Sequence, residues 1–226
     1  MTDRHLRLDS AGNPHVAYGD DSLYYARYDP GAGAWNFETA DPAPGVGSDA
    51  SLAFDAQGRP HIAYHDAAAG RLKYAWRDAG GWHAEVADDP ASGDAGYHTS
   101  IALETDGTPH ISYAYWDLTF NISQVRHAYR DGGVWHVETV EYDDATGPTS
   151  LALDSQGYPR FSYQDLANYR LKYAYQDTDG WHLEVADPGP SSGDYSSLVL
   201  LQSGQPAIAY RSNTAGLRWT IRGAGG

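Results

Sequence analysis

Apolar and polar residues alternate along this chain with a period of two, over stretches of four to seven residues. No segment shows the i, i+3, i+4, i+7 spacing of an amphipathic helix. In Ser150-Leu151-Ala152-Leu153 the leucines take one side and the small residues the other. In Leu171-Lys172-Tyr173-Ala174-Tyr175 the rings share a side opposite Ala174. Such alternation predicts strands whose sheets have one bulky face and one small face, suited to stacking with bulky nesting on small.

The strands recur as a unit. Aligning the chain on Gly-x-Pro-His-Ile-Ala-Tyr places anchors at Gly12, Gly58, Gly107, Gly157 and Gly204, at intervals of 46, 49, 50 and 47 residues. Each unit opens with a Ser-Leu-Ala-Leu-Asp type segment and a Gly-x-Pro turn. The second segment ends at Tyr18, Tyr64, Tyr113, Tyr163 or Tyr210, and the third is of Leu-Lys-Tyr-Ala-Tyr type. A fourth segment starts at Trp35, Trp82, Trp135 or Trp181 and runs on as His-x-Glu-Val. Four strands at this period predict an all-β, five-bladed β-propeller of antiparallel blades, first strand innermost and tryptophan strand outermost. The blades fall at about 4–40, 49–88, 98–141, 149–187 and 196–222 of a single domain spanning 1–226. The last blade lacks its outer strand. Closure is then expected from blade one packing beside blade five, with the edge at 216–222 open to a homodimer partner.

Composition narrows the chemistry. There is no cysteine, so disulfides, thiolate metal sites and a cysteine nucleophile are excluded. A net charge of -15, with two lysines, repels phosphate backbones and anionic lipid, which argues against nucleic acid. Glycans and other small polar ligands suit such a surface. The residues after Met1 are polar, so neither a signal peptide nor a membrane segment is read there, and both the cytoplasm and secretion after signal removal stay open. The 18 tyrosines and 7 tryptophans, against 4 phenylalanines, suit half-buried strands and sugar stacking alike.

The turn before the outer strand reads Asp78-Ala-Gly80-Gly-Trp82, Asp131-Gly-Gly133-Val-Trp135 and Asp177-Thr-Asp-Gly180-Trp181, with Asp29-Pro-Gly31-Ala-Gly33-Ala-Trp35 a looser copy. These resemble a degenerate Asp-box, the Ser-x-Asp-x-Gly-x-x-Trp turn of sialidase-type propellers, without its leading Ser or Thr. The resemblance implies turn-forming aspartates on the face away from the ligand. The arginine triad and Tyr/Glu pair of sialidases have no counterpart here. In blade number the chain is similar to tachylectin-type lectins and to five-bladed furanose-cleaving glycosidases.

Candidate ligand groups lie on the opposite rim, where the second strand turns into the third and each blade hands over to the next. The first loops carry Tyr18-Gly-Asp20, Tyr64-His65-Asp66, Tyr163-Gln164-Asp165, the longer Tyr113-Ala-Tyr115-Trp116-Asp117, and Tyr210-Arg211-Ser212. The second loops carry Asp49, Asp94, Tyr97, His98, Thr146, Asp194 and Tyr195. Tyr-x-Asp reads first as a turn cap, because a residue repeated in most blades serves architecture, and as a sugar contact in the alternative. The longer blade-three loop is expected to expose Tyr115, Trp116 and Phe120 to a ligand. His15, His61 and His110 give way to Arg160 and Ala207 in the other blades and read as packing residues. His65 and His98 each occur once, on the rim. With Asp66 and Asp94 they offer ligands for calcium or another divalent cation, although no dedicated spacing marks a metal site and no cofactor is otherwise implied.

Carbohydrate binding through this rim is the leading reading. Its contacts would be Asp20, His65, Asp66, Tyr97, His98, Tyr115, Trp116, Asp117, Gln164, Asp165, Tyr195 and Arg211. A glycoside hydrolase using paired aspartates among Asp20, Asp66, Asp117 and Asp165 is the alternative. A protein-interaction scaffold is the third. No Gly-x-Ser-x-Gly elbow signals a serine nucleophile.

Overall fold

A computed structural model describes residues 5–120, 122–143 and 147–222. Its strands form five antiparallel sheets in which sequence neighbours pair. Blade one comprises β1 (Leu6–Leu8), β2 (Pro14–Gly19), β3 (Leu23–Asp29) and β4 (Ala34–Asp41). Blade two comprises β5 (Val46–Phe54), β6 (Pro60–Asp66), β7 (Arg71–Asp78) and β8 (Gly81–Asp88). Blade three comprises β9 (Asp94–Leu103), β10 (Pro109–Asp117), β11 (Ile122–Asp131) and β12 (Val134–Asp143). Blade four comprises β13 (Ser150–Leu153), β14 (Pro159–Asp165), β15 (Arg170–Asp177) and β16 (Gly180–Asp187). Blade five has three strands, β17 (Asp194–Leu200), β18 (Pro206–Ser212) and β19 (Gly216–Ile221). The first strands of successive blades lie against one another in chain order, as in a propeller. The described residues contain no helix.

The Gly-x-Pro turns are built by the aspartate that ends the inner strand. Asp55 Oδ1 accepts the amides of Gln57 and Arg59 at 2.9 and 2.8 Å, and Asp9 and Asp154 do the same for their turns. Left-handed glycines, such as Gly58 at φ 74°, complete the reversal. In the turns before the outer strands Asp29, Asp78 and Asp177 accept amides two residues on, at 2.7 to 2.9 Å.

Adjacent blades are joined by a contact repeated four times. Leu52, Ile62 and Tyr64 of blade two pack on Ala17, Leu23 and Tyr25 of blade one, and Ile101, Ile111 and Tyr113 pack likewise on Ala63, Leu72 and Tyr74. The bulky-on-small expectation holds only near the axis. Blades diverge with distance from it, so rings from both faces fill the wider part of the wedge.

Polar groups lock this packing at three radii. Near the axis the Ser51, Ser100 and Ser150 hydroxyls accept the Ile101, Leu151 and Leu198 amides of the next blade at 2.9 to 3.1 Å. Further out, Tyr64, Tyr113 and Tyr210 donate to Asp41, Asp88 and Asp187 of the preceding blade at 2.5 to 2.7 Å, and Tyr163 donates to Glu141. At the periphery the indole N–H of Trp82, Trp135 and Trp181 donates to Glu38, Glu85 and Glu138 at 2.8 to 3.1 Å. The repeated outer-strand glutamates are thereby explained as acceptors for the following blade.

The remaining face of blade five departs from expectation. Leu217 and Trp219 are 85% and 71% exposed, so blade one does not pack over them. Among the described residues blade five has three strands, and no carboxylate of an outer strand there meets Trp35 or Tyr18 of blade one as their counterparts are met.

The histidines of the second strand are packing residues, as expected. His61 joins Asp55 to the Tyr74 hydroxyl, and His110 joins Glu104 to His127, which meets Glu138. Burial lowers the pKa of His61, His110 and His127, outweighing the carboxylates that pull the other way. A folded pKa below the unfolded value of about 6.5 means that these groups bind protons more tightly unfolded. Their stability contribution is complete above that pH and is lost as pH falls below it, ahead of carboxylate protonation. Thermal melts should therefore show a falling midpoint between pH 7.5 and 5.5, with a smaller fall in His61→Gln and His127→Gln. Tyr113→Phe should cost about 1.5–3 kcal/mol in urea unfolding, because its hydroxyl donates to a buried carboxylate. Tyr18→Phe should stay within about 0.5 kcal/mol, since Tyr18 is 39% exposed at the unpartnered face.

Candidate functional site

The Tyr-x-Asp aspartates hold their own turns. Asp66 Oδ1 accepts the Ala69 amide at 3.1 Å, Asp117 Oδ1 accepts Thr119 and Phe120 at 2.8 and 3.2 Å, and Asp165 Oδ1 accepts Asn168 at 2.9 Å. Asp66 and Asp165 are buried in doing so, whereas Asp20 stands exposed.

Two concave sites on this rim share His98. The first, of about 590 Å³, is lined by all five blades, including Val16, Tyr18, Ser48, Asp49, His98, Pro148 and Tyr195, and therefore lies at the axis. Asp49, His98 and Tyr195 occupy equivalent positions two residues before the inner-strand serines, with φ of 50°, 56° and 49°. Left-handed backbone at non-glycine residues is costly and persists where the surroundings impose it. Here the next blade imposes it: the Thr99 hydroxyl donates to the Asp49 carbonyl at 2.5 Å, and Thr149 donates to that of His98 at 2.9 Å. The Asp49 carboxylate accepts the His98 amide at 3.0 Å. Burial opposes ionisation of Asp49, but its contacts with His98 prevail and lower its pKa.

The second site, of about 450 Å³, lies between blades three and four and is lined by Asp94, Tyr97, His98, Ala114, Trp116, Leu118, Ser123 and Leu166. Trp116, 39% exposed, is its aromatic wall. Burial, followed by the bond to Asp94, pushes the Tyr97 hydroxyl up to about 12, so it stays a donor at neutral pH.

Between the two sites lies a polar chain. His65, itself buried, approaches Asp94 Oδ1 with Nε2 at 2.7 Å and Ser48 Oγ with Nδ1 at 3.2 Å. Tyr97 donates to Asp94 Oδ2 at 2.7 Å and lays its ring 4.4 Å from the His65 ring. Ser48 is placed by backbone irregularity, since β5 shifts register against β6 on both sides of it. Gly47, at φ 106°, lets blade one come close: a Cβ there would lie 2.9 Å from the Ser22 carbonyl oxygen.

Of the residues expected at the site, Tyr97, His98 and Trp116 line the cleft, His98 and Tyr195 line the axial cavity, and His65 lies between the two. Tyr115 corrects the expectation of an exposed ring. β10 continues through Asp117, so Tyr115 alternates inward and is 3% exposed, with the Arg126 guanidinium 3.4 Å from its ring centroid. Phe120 is exposed as expected. Gln164 is buried and donates to the Ser192 carbonyl at 3.0 Å, while Arg211 reaches Asp194 at 3.6 Å away from both cavities. Thr146 lies outside the described residues. The four groups considered for a cation are each engaged elsewhere. Among the described residues no three His, Asp or Glu side chains are arranged to hold a metal ion. Sequence reasoning missed Ser48, Pro148, Leu118 and Leu166; only Ser48 carried a signal, in its place beside Asp49 on a rim segment.

No protein-family model and no curated protein matches the chain. Solved structures do resemble it. A protein of unknown function from Dyadobacter fermentans aligns with a TM-score of 0.69 at 12% identity, covering 99% of this chain and 80% of that one. A triple arginine-to-alanine variant of AofleA from Arthrobotrys oligospora aligns at 0.64 and 14% identity, over 97% and 68% of the two chains. The α-L-arabinofuranosidase from Lactobacillus brevis aligns at 0.57 and 10%, over 97% and 90%. At such identities the likeness is one of fold. The chain is a five-bladed β-propeller, and the proteins sharing its fold include enzymes named for action on carbohydrate.

Gly47→Ala tests the close approach that seats Ser48. It should lower stability by about 1–3 kcal/mol through left-handed strain and the clash with Ser22, as measured by urea unfolding.

Proposed function

We propose that the protein binds carbohydrate in the cleft between blades three and four. The observation that carries this reading is the exposed Trp116 indole facing a concavity that also holds Asp94, Tyr97 and His98. An aromatic face covers the apolar side of a sugar ring while the neighbouring polar groups exchange hydrogen bonds with its hydroxyls. The net charge of -15 favours a neutral or cationic glycan over an acidic one. Binding is preferred to glycoside hydrolysis because Asp66, Asp117 and Asp165 commit oxygens to their own turns, leaving only Asp20 of the aspartates considered for paired catalysis. One cleft also fits the site better than avidity from several blades, since the residues of this cleft are not repeated around the ring.

A glycan array probed with and without calcium should show retention of neutral glycans. Trp116→Ala should weaken the best binder at least tenfold in calorimetry, a loss of about 1.4 kcal/mol or more. Silence on the array, or affinity unchanged in Trp116→Ala, would remove the proposal.

A further inference from the structure

We propose that Ser48, His65 and Asp94 form an acyl-transfer site that hydrolyses small uncharged carboxylic esters at the axial cavity. The inference goes beyond glycan binding and concerns a different cavity, lined by Ser48, while Asp94 and Tyr97 also border the cleft.

The geometry sets the proton positions. Ionised Asp94 accepts the His65 Nε2 proton at 2.7 Å, which leaves the Nδ1 lone pair facing the Ser48 hydroxyl at 3.2 Å. This is the relation of base to nucleophile in serine hydrolases, with the two imidazole nitrogens exchanged. Tyr97 holds the other Asp94 oxygen at 2.7 Å, so the carboxylate is fixed at both ends. Ser48 lines the axial cavity, where Leu6, Val16, Tyr18 and Pro148 supply apolar wall for an acyl or alkoxy group.

Propeller architecture does not require this pair. Ser48 pairs with His65 across β5 and β6. The corresponding paired positions hold Tyr97 and Ala114 in blade three and Asp194 and Arg211 in blade five. In blade four they are Gly147 and Gln164, joined by a backbone bond of 3.0 Å. A packing role common to the blades would have kept one residue type. The register shifts beside Ser48 and the left-handed residue after it recur in blades three and five, so the ring supplies the backbone and the Ser48–His65 pair alone is particular to blade two.

In the proposed reaction Ser48 Oγ attacks the ester carbonyl carbon as its proton passes to His65 Nδ1. Collapse of the tetrahedral adduct breaks the carbon–alkoxy bond, and the leaving oxygen takes the proton from Nδ1 to depart as the alcohol. Water then gives a proton to Nδ1 and attacks the acyl-serine. When that adduct collapses, the carboxylic acid leaves and Ser48 Oγ regains its proton from His65. Asp94 stabilises the imidazolium in both halves and is a positioning residue.

The test is labelling of the full chain with a small alkyl fluorophosphonate, with peptide mass spectrometry to locate the adduct and p-nitrophenyl acetate turnover alongside. Wild-type protein should carry the adduct on Ser48. Ser48→Ala should carry none there and should lose turnover while melting at the wild-type temperature. His65→Gln should label at least a hundredfold more slowly. Asp94→Asn should alter the pH profile of the labelling rate while leaving the melting temperature unchanged, an effect that a merely structural role would not produce. A folded wild type left unlabelled at Ser48, turnover equal in wild type and Ser48→Ala, or equal labelling in His65→Gln would each overturn the proposal. Because melting checks the fold of every variant, these results are independent of whether any glycan binds.

Discussion

The ring depends on carboxylates at the outer end of one blade accepting hydrogen bonds from aromatic side chains of the next. A buried tyrosine hydroxyl or indole N–H is costly without an acceptor, and a buried carboxylate is costly without donors. The Tyr113–Asp88 and Trp135–Glu85 contacts answer both demands at once. They also set the relative rotation of neighbouring sheets, because the partners come from different blades and meet only when leucine and isoleucine are seated between them. Apolar packing supplies the attraction, and these bonds select the geometry.

That rotation builds the rim. Thr99 and Thr149 reach across to carbonyls of the preceding blade, and this turns Asp49 and His98 left-handed at the axis. The side chains of the axial cavity are thus aimed by the contacts that hold the blades together. His98 faces both cavities and His65 lies between them, so the cleft of blade three and the axial cavity are neighbours through Asp94 and Tyr97.

The residues repeated in every blade turned out to serve the scaffold, and those occurring once gathered at the rim. Tyr-x-Asp recurs because in blades two, three and four its aspartate accepts amides of its own turn. Ser48 with His65 occurs once, and so does Trp116 in the longer blade-three segment. A rigid ring of equivalent sheets leaves such positions near strand ends free to vary from blade to blade.

Strand number, blade order, the inner and outer ends of each sheet and the missing last strand were all decided by the sequence itself. Period-two alternation and turn residues act locally, and five copies average out the irregularities of any one. The histidines of the second strand were legible as structural for the same reason. The inward ring of Tyr115 was not legible, because whether a strand continues for two more residues depends on the neighbouring strand that receives it. Nor was the meeting of Ser48, His65 and Asp94, which lie on three strands in two blades and carry no common spacing. The exposed face of blade five also belongs to tertiary structure, since it depends on how far each blade rotates against the last. Local pattern specifies strands; only the packing of one blade on another decides which side chains share a cavity.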